Sequence, residues 1–404
     1  MSLEGKRKEI QRSKYGVSEN RSKLLPQINA IAGYSNNFDP PVSVTDGSSY
    51  GVPYNITQTL QHSANAGLEM QMPLFNQTLY TSMSIAKVME EISRLSYGKA
   101  REDVILQISK MYYLGQVTAE QIMLIKANIT RLEELRDITQ AFFDNGMSME
   151  VDLKRVNINL ENLKVQYDNA QAMMKQQLNM LKYIMDYPAE KEIALTPVNT
   201  DSITTVALTG LSENIYELQL SQSQVQLAER QKKIITNGYI PSLSLTGSWR
   251  YAAYTDKGYH WFHSGPSNQW FRSYGVGLTL RIPIFDGLDK TYKIKKAMID
   301  IENKRLAWED ARKNLQTQYL NAVNDLMNNQ RNFKKQKDNY LLAEDVYAVT
   351  SDRYREGIAS MTEVLQDEMQ MSEAQNNYIS AHYNYRVTNL MLLKLTGQIE
   401  SLVK

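Results

Sequence analysis

The chain has few residues suited to catalysis or metal binding. It contains no cysteine and four histidines, which are His62, His260, His263 and His382. Without cysteine there is neither a disulfide nor a thiolate ligand, so a metal would depend on histidine and carboxylate groups. His260 and His263 share the aromatic segment YHWFH, but an isolated histidine pair is more often a surface feature than a metal site. We predict no metal site and no cofactor.

The remaining motifs also argue against enzymatic activity and nucleic-acid binding. The sequence shows no phosphate-binding glycine loop and no nucleophile arranged with a base. Its 45 basic and 44 acidic residues are well mixed and leave a net charge of +1. A nucleic-acid-binding protein would instead show a basic face. The chain is therefore predicted to be neither an enzyme nor a nucleic-acid-binding protein.

Long helices are the first expectation for this chain, because helix breakers are scarce. Only ten prolines and nineteen glycines occur in 404 residues, and most prolines cluster in four places. A helix from Asn76 to about residue 143 would be roughly 100 Å long. Beyond Gly146, apolar residues recur at steps of three and four, as in a coiled-coil seam. That seam comprises Leu153, Val156, Leu160, Leu163, Tyr167, Ala170 and Met174.

The chain is an internal duplication with an offset of about 211 residues. The matching positions are Pro26 with Pro241, Pro73 with Pro283, and Gly146 with Gly357. Each half is predicted to contain a short helix, a strand after its first proline, a polar loop, and a second strand ending at the next proline. A long helical hairpin follows, and its reversal is expected at Gly146 or Gly357.

We predict one protomer, residues 1–404, made of two repeats at about 1–187 and 212–404. Its strands are expected at about 26–36, 64–74, 241–252 and 272–283. The helical hairpins are expected at about 76–186 and 287–397. An irregular segment at about 187–211, interrupted by Pro188 and Pro197, should separate the repeats. The start, MSLEGKRKEI, lacks a hydrophobic signal core, so we expect a shortened chain with a vector-derived beginning.

The strands are predicted to have one apolar face. Its positions are Leu243, Leu245, Trp249 and Tyr251 in the third strand and Tyr274, Val276, Leu278 and Leu280 in the fourth. Such alternation fits a strand half-buried on a soluble core, and it equally fits a strand of about ten residues that faces lipid. Aromatic residues and the lack of an obvious covering layer favour the membrane. No apolar run reaches the roughly 18 residues of a spanning helix.

Four strands are too few to be self-sufficient in a membrane. They cannot close on themselves, and open edges cannot lie in lipid, where every backbone polar group needs a partner. If the strands meet lipid, several chains must therefore combine them. The sequence predicts a conduit in which a shared sheet continues into a tube of long helices.

These features resemble the TolC-type outer membrane efflux proteins over nearly the whole chain. The resemblance rests on two strand-Pro-Leu/Ile-Phe motifs, on the glycine turn followed by MTEVL, and on the terminal YNYRVTNLMLLKLTG. It implies a mainly α fold with a small β part. Long antiparallel helical hairpins would form a trimeric tunnel, and four strands per chain would contribute to a shared twelve-stranded transmembrane β-barrel.

The resemblance also implies a function, a location and partners. The chain would be the outer membrane channel of a tripartite efflux or type I secretion system, exporting small molecules or polypeptides. It would lie in the outer membrane of a Gram-negative bacterium and extend into the periplasm. Its partners would be two further copies, a periplasmic adaptor, an inner-membrane transporter and outer membrane lipid. The alternative is a coiled-coil scaffold without transport activity, which explains the helical seams but not the duplicated strands.

Residues at the helical turns follow from the same resemblance. Gly146 with Met147, and Gly357 with Ile358, would contact the adaptor. Tyr354 and Glu363 would help to constrict the closed tunnel. The family pattern is altered nearby, because Gln366 stands where a further acid is expected and Ala359 where a basic residue is expected.

Three acidic residues form the hypothetical constriction. Asp367 occupies the repeat position of Val156, so an acid stands where its counterpart is apolar. Asp152 and Glu363 match across the repeat and have an alternative role as first-turn charges that favour helix starts. We predict that Glu363 and Asp367, in three copies, bind cations and slow leakage.

Overall fold

The computed structural model of the protein describes residues 3–40, 42–46, 54–58, 60–197, 210–255 and 270–403. His260, His263 and residues 198–209 of the segment predicted to separate the repeats lie outside these residues. The helices of the described part are α1 (Leu3–Ser22), α2 (Gln77–Asp144), α3 (Glu150–Ile184), α4 (Tyr216–Asn237), α5 (Asp289–Arg355) and α6 (Met361–Leu395), followed by a 3-10 turn (Ile399–Val403).

One antiparallel sheet of four strands has the order β1-β4-β5-β6. A separate hairpin pairs β2 with β3. The strands are β1 (Gln27–Asn36), β2 (Val42–Asp46), β3 (Tyr54–Gln58), β4 (His62–Phe75), β5 (Ser242–Thr255) and β6 (Trp270–Arg281). Within the sheet, β4 pairs with β5, and this pairing joins the two halves of the sequence.

The element order repeats, which confirms the predicted internal duplication and the mainly helical fold. α1, β1, β4, α2 and α3 are followed in the same order by α4, β5, β6, α5 and α6. The last helices of each half, α3 and α6, are both 35 residues long, and their start and end positions differ by 211 residues. One chain thus contains the same structural repeat twice.

The β2–β3 hairpin differs from the prediction, which placed a polar loop between the first two strands. Its segments VSVTD and YNITQ mix β-branched or aromatic residues with polar ones. Such residues favour extended structure even in a largely polar stretch. The prediction took the polarity as the stronger signal, and the cross-strand pairing reverses that conclusion.

The junction between sheet and helix is built differently in the two repeats. Pro73 lies inside β4, where the pairing with β5 shifts between Pro73 and Phe75, whereas Pro283 follows the end of β6. An irregularity of this kind accommodates a residue that has no N–H to donate. α2 then begins at a cap, because Oδ1 of Asn76 accepts the N–H of Thr78 at 3.1 Å.

The chain forms two compact units, and each combines residues from both repeats. The first comprises Met1–Arg94 and Ser221–Ala307, and the second comprises Leu95–Leu220 and Trp308–Lys404. The first unit contains the four-stranded sheet. The second contains the largest apolar core, to which α2, α3, α5 and α6 all contribute. Its most deeply buried members are Leu132, Leu135, Val156, Leu160, Val364 and Met371.

Candidate functional site

The sheet of the first unit has one apolar face. Residues directly opposite each other on antiparallel strands share a face, and Trp249 lies opposite both Leu68 and Tyr274. The same face carries all the residues predicted to contact lipid, namely Leu243, Leu245, Trp249, Tyr251, Tyr274, Val276, Leu278 and Leu280. Val276 is 80% exposed. The structure brings these residues together, and their contact with lipid stays a prediction.

The other face of the sheet is polar. Asn29, Glu69 and Ser248 lie side by side across three strands, and Gln71 lies opposite Thr246 one step along. The strands therefore alternate as the sequence indicated over most of their length, and the exceptions at the start of β6 are Phe271 on the polar face and Arg272 on the apolar face. A sheet with one apolar and one polar face can lie between an apolar environment and water.

The two outer strands of this sheet have free edges in the described part of the chain. β1 and β6 each pair with a single neighbour. The free edge of β6 is long, and its apolar residues Val276, Leu278 and Leu280 are exposed. An exposed, long, apolar edge strand is a template for pairing with another chain.

Glycine ends both long helices at the reversals predicted from the sequence. Gly146 has a positive φ of 73°, a backbone conformation that side chains disfavour. Its N–H donates to the carbonyl of Phe143 at 2.9 Å, and the N–H of Met147 donates to that of Phe142 at 2.7 Å. This pattern of crossed hydrogen bonds closes the end of α2.

The second reversal repeats the first. Gly357 has a φ of 76°, and its N–H donates to the carbonyl of Tyr354 at 2.9 Å. The residues that follow the two glycines, Met147 and Ile358, expose 67% and 62% of their surfaces. Both turns therefore present an apolar side chain that the chain itself does not cover.

Tyr354, predicted to constrict a tunnel, packs inside the chain. Its side chain is 6% exposed, its ring centroid lies 5.6 Å from that of Phe142, and its hydroxyl donates to Oγ1 of Thr139 at 3.3 Å. Burial raises the pKa of the Tyr354 phenol. The structure shows a contact between α5 and α2 for this residue, and a part in gating stays a prediction.

Glu363 has the helix-start geometry that the sequence offered as its alternative role. Oγ of Ser360 accepts the N–H of Glu363 at 3.3 Å, and Oε2 of Glu363 accepts the N–H of Ser360 at 3.3 Å. This reciprocal pair is a capping box. Because the Glu363 side chain is exposed, the cap leaves its charge in contact with solvent.

Asp152 takes part in a contact between α3 and α6. Its carboxylate accepts a hydrogen bond from Nη1 of Arg155 at 3.3 Å. The same Nη1 donates to Oγ1 of Thr362 on α6 at 3.3 Å, so Arg155 links the two helices. Asp367 is half-buried. The structure places these acids near the helical turns of the second unit, and a joint role as a constriction remains untested.

The acid buried in the helical core is Glu368, which the sequence analysis missed. Its side chain is 5% exposed, and its Oε1 has no hydrogen-bond partner among the described residues. Burial raises the pKa of this carboxyl group. The spacing of Met361, Leu365, Glu368 and Met371 was the available signal, since steps of three and four place Glu368 in a seam.

His382 was named in the sequence analysis, but its burial was not predicted. His382 is fully buried. Nε of Arg386 donates a hydrogen bond to Nε2 of His382 at 2.9 Å. Nε2 is therefore the accepting nitrogen of the ring, and the proton is on Nδ1. Nδ1 lies 3.3 Å from Oε2 of Glu120. Burial favours a higher pKa for Glu120, but hydrogen bonds from His382 and Tyr378 outweigh it and lower the pKa.

Glu102 is a second buried acid in the same unit. Its burial raises the pKa to about 7. Nearby Lys394 opposes this rise, whereas the carboxylates of Glu400 and Asp103 add to it. Among the described residues, no cluster of three or more histidine and carboxylate groups could hold a metal ion. Nor does any helix in those ranges have a stretch that is long and apolar enough to cross a membrane.

A duplicated chain of long helices with one small two-faced sheet defines a class of outer membrane channel subunits. The chain matches the model of the family described as "Outer membrane efflux protein" over residues 2–185 and 207–398. It belongs to that family. The predicted family, the mainly helical fold with four strands in one sheet, and the outer membrane location are therefore confirmed.

Named relatives and solved structures agree with this assignment. "Outer membrane protein TolC" of Vibrio cholerae is 21% identical over 399 residues, which cover 95% of this chain and 84% of the relative. "Toluene efflux pump outer membrane protein TtgC" of Pseudomonas putida is 23% identical over 379 residues, covering 89% and 75%. The solved CusC structure has a TM-score of 0.80 at 16% identity and covers 98% of this chain and 88% of its own. TtgC is described as the outer membrane protein of a toluene efflux pump, and CusC is described as forming a transmembrane channel.

Proposed function

We propose that the chain is the outer membrane channel of a tripartite efflux or type I secretion system. Three copies form the channel, which extends into the periplasm. An adaptor connects it to an inner-membrane transporter, and small molecules or polypeptides leave through the helical tunnel. Family membership supports the efflux role.

The observation that carries this proposal is the two-faced sheet with free outer edges. Burying its exposed apolar face in lipid requires every backbone group at the edges of the sheet to find a partner. Pairing β6 of one copy with β1 of the next satisfies both edges and places all apolar faces outward. The polar faces then line a water-filled path.

The helical turns are the proposed contact with the adaptor. Met147 and Ile358 present exposed apolar side chains just after Gly146 and Gly357. Small apolar protrusions on otherwise polar turns suit a partner with matching hollows. Replacing both Met147 and Ile358 by serine should weaken adaptor binding while leaving conductance of the isolated channel unchanged.

The proposed constriction is formed by Glu363 and Asp367, with Asp152 and Tyr354 nearby. Its test must separate charge from helix capping, because Glu363 caps α6. Glu363→Gln preserves a capping side chain but removes the charge, and Asp367→Asn does the same for the second acid. The double variant should lose block by divalent cations in a planar bilayer. Unchanged block and conductance would rule out the acidic constriction.

The channel proposal itself is tested with the detergent-extracted protein. We expect a particle with three times the mass of one chain, three-fold symmetry in electron micrographs, and stepwise conductance in a planar bilayer. A monodisperse water-soluble single copy without conductance would contradict the proposal. A soluble elongated particle would favour the coiled-coil scaffold instead.

A further inference from the structure

A salt bridge lies on the polar face of the sheet, on its two central strands. Nη2 of Arg250 on β5 contacts Oε1 of Glu69 on β4. Glu69 lies opposite Ser248, two residues before Arg250, so the pair is diagonal across the strands. Both side chains remain substantially exposed to solvent.

The residues around this pair are small. Gly67 lies opposite Arg250, and a Cβ added to it would come within 2.9 Å of the Arg250 Cα. Ser273 and Gly275 occupy the facing positions on β6. A hollow of about 550 Å³ opens over this part of the sheet. No large side chain of these neighbours therefore screens the two charges from the solvent.

The pair supplies most of the charge on this face. Among the described residues of the four strands in this sheet, the only other charged residue on the polar face is Arg281, at the last position of β6. Glu69 and Arg250 neutralise each other, and three copies would contribute three such pairs to one lining. Fixed charges that line a narrow aqueous path determine which ions pass.

We infer that the Glu69–Arg250 pair determines the ion selectivity of the sheet section, which is the part of the channel lined by the polar face of the sheet. Each residue cancels the charge of the other, so the pair itself favours neither cations nor anions. This inference rests on the proposed function, because it requires the polar face to line the conduit.

Charge-neutral variants test the inference in a planar bilayer with a salt gradient. Glu69→Gln leaves Arg250 unpaired and should shift the permeability ratio of potassium to chloride severalfold toward chloride. Arg250→Gln leaves Glu69 unpaired and should shift it severalfold toward potassium. The double variant should return close to the ratio of the unmodified channel.

The matched control is Arg272→Gln. Arg272 lies on the apolar face, opposite Tyr251, with its guanidinium 5.9 Å from the centre of the Tyr274 ring. Arg272→Gln removes one positive charge, as Arg250→Gln does, but from a neighbouring strand and from the other face of the sheet. Its permeability ratio should equal that of the unmodified channel.

A second measurement covers the case in which the charge variants fail to assemble. The chain has no cysteine, so Ser248→Cys provides a unique thiol beside the pair with almost no change in volume. Positively and negatively charged thiosulfonate reagents, added to the assembled channel, should shift its selectivity in opposite directions. The same reagents should have no effect on Val276→Cys, on the apolar face.

The outcomes separate the inference from the proposed function. Conducting channels whose selectivity responds neither to the charge variants nor to modified Ser248→Cys would overturn the inference and leave the channel intact. An unmodified protein that never conducts would overturn both. A response of Val276→Cys equal to that of Ser248→Cys would show that the two faces had been assigned wrongly.

Discussion

At Gly357, backbone conformation rather than packing determines the residue type. A Cβ added there would meet no atom within 4 Å, yet φ is 76°. Gly357→Ala should therefore lower the free energy of unfolding by about 1 kcal/mol through backbone strain alone. Chemical denaturation of the purified protein measures this change.

Gly16, inside α1, provides a control in which the same change from glycine to alanine should have the opposite effect on stability. It also has open space around its Cβ position, but it lies in a helix, where alanine is favoured over glycine by about 0.5–1 kcal/mol. Gly16→Ala should be neutral or stabilising. Equal destabilisation by the two substitutions would contradict the assignment of strain to Gly357.

Glu102 predicts a pH dependence of stability at the residue scale. Its pKa is raised from 4.5 to about 7 in the folded chain. A raised pKa contributes stability that is fully present below the unfolded value and is lost as the pH rises through the folded value. Between pH 5 and pH 8, the protein should lose roughly 1–3 kcal/mol of unfolding free energy from this group.

Glu102→Gln should remove that loss, because glutamine keeps the shape without titrating. The difference in unfolding free energy between variant and unmodified protein should shift in favour of the variant as the pH rises from 5 to 8. Denaturant titrations at several pH values provide the measurement. Parallel pH profiles for the two proteins would show that Glu102 ionises freely in the folded state.

At the scale of helices, the two repeats differ in how their last helices begin. Ser360 caps α6 with its side chain, whereas Met149, at the equivalent position before α3, makes no such hydrogen bond. Both residues have the extended backbone of a cap. Met149→Ser should therefore stabilise the protein by about 1 kcal/mol, because its hydroxyl can accept an N–H of the first turn.

Ser360→Ala is the converse change and should destabilise by a similar amount. The two effects should add, since the caps belong to different helices. If Met149→Ser lowers stability while Ser360→Ala behaves as expected, the exposed Met149 side chain must have a contact that outweighs a cap.

At the scale of the whole molecule, the two faces of the sheet should respond differently to charge. Leu278 lies on the apolar face and Thr279 on the polar face of the same strand. Leu278→Arg should reduce the outer membrane fraction of the protein sharply, since arginine facing lipid costs about 2–4 kcal/mol at the midplane. Thr279→Arg should still reach the membrane. Fractionation with immunoblotting compares them, and equal loss would contradict the two-faced assignment.

The local patterns of the sequence determined the helices, the duplication and the two-faced strands. Periods of two and of three to four are properties of consecutive residues, so Leu243, Trp249 and Val276 could be placed on one face without knowing their neighbours. The turns at Gly146 and Gly357 were equally local. These features need only the geometry of one element.

Only the tertiary structure decided which polar groups are buried. The repeat matched Asp367 to Val156, but the buried acid in this part of α6 is its neighbour Glu368. α6 shares buried clusters with α2, α3 and α5, so its buried face is wider than one seam and includes positions that a single period does not mark. The contacts of His382 and Tyr354 likewise depend on helices distant in sequence, as does the pairing of Glu69 with Arg250. Long-range packing sets them, and the periodicity of one segment contains no information about that packing.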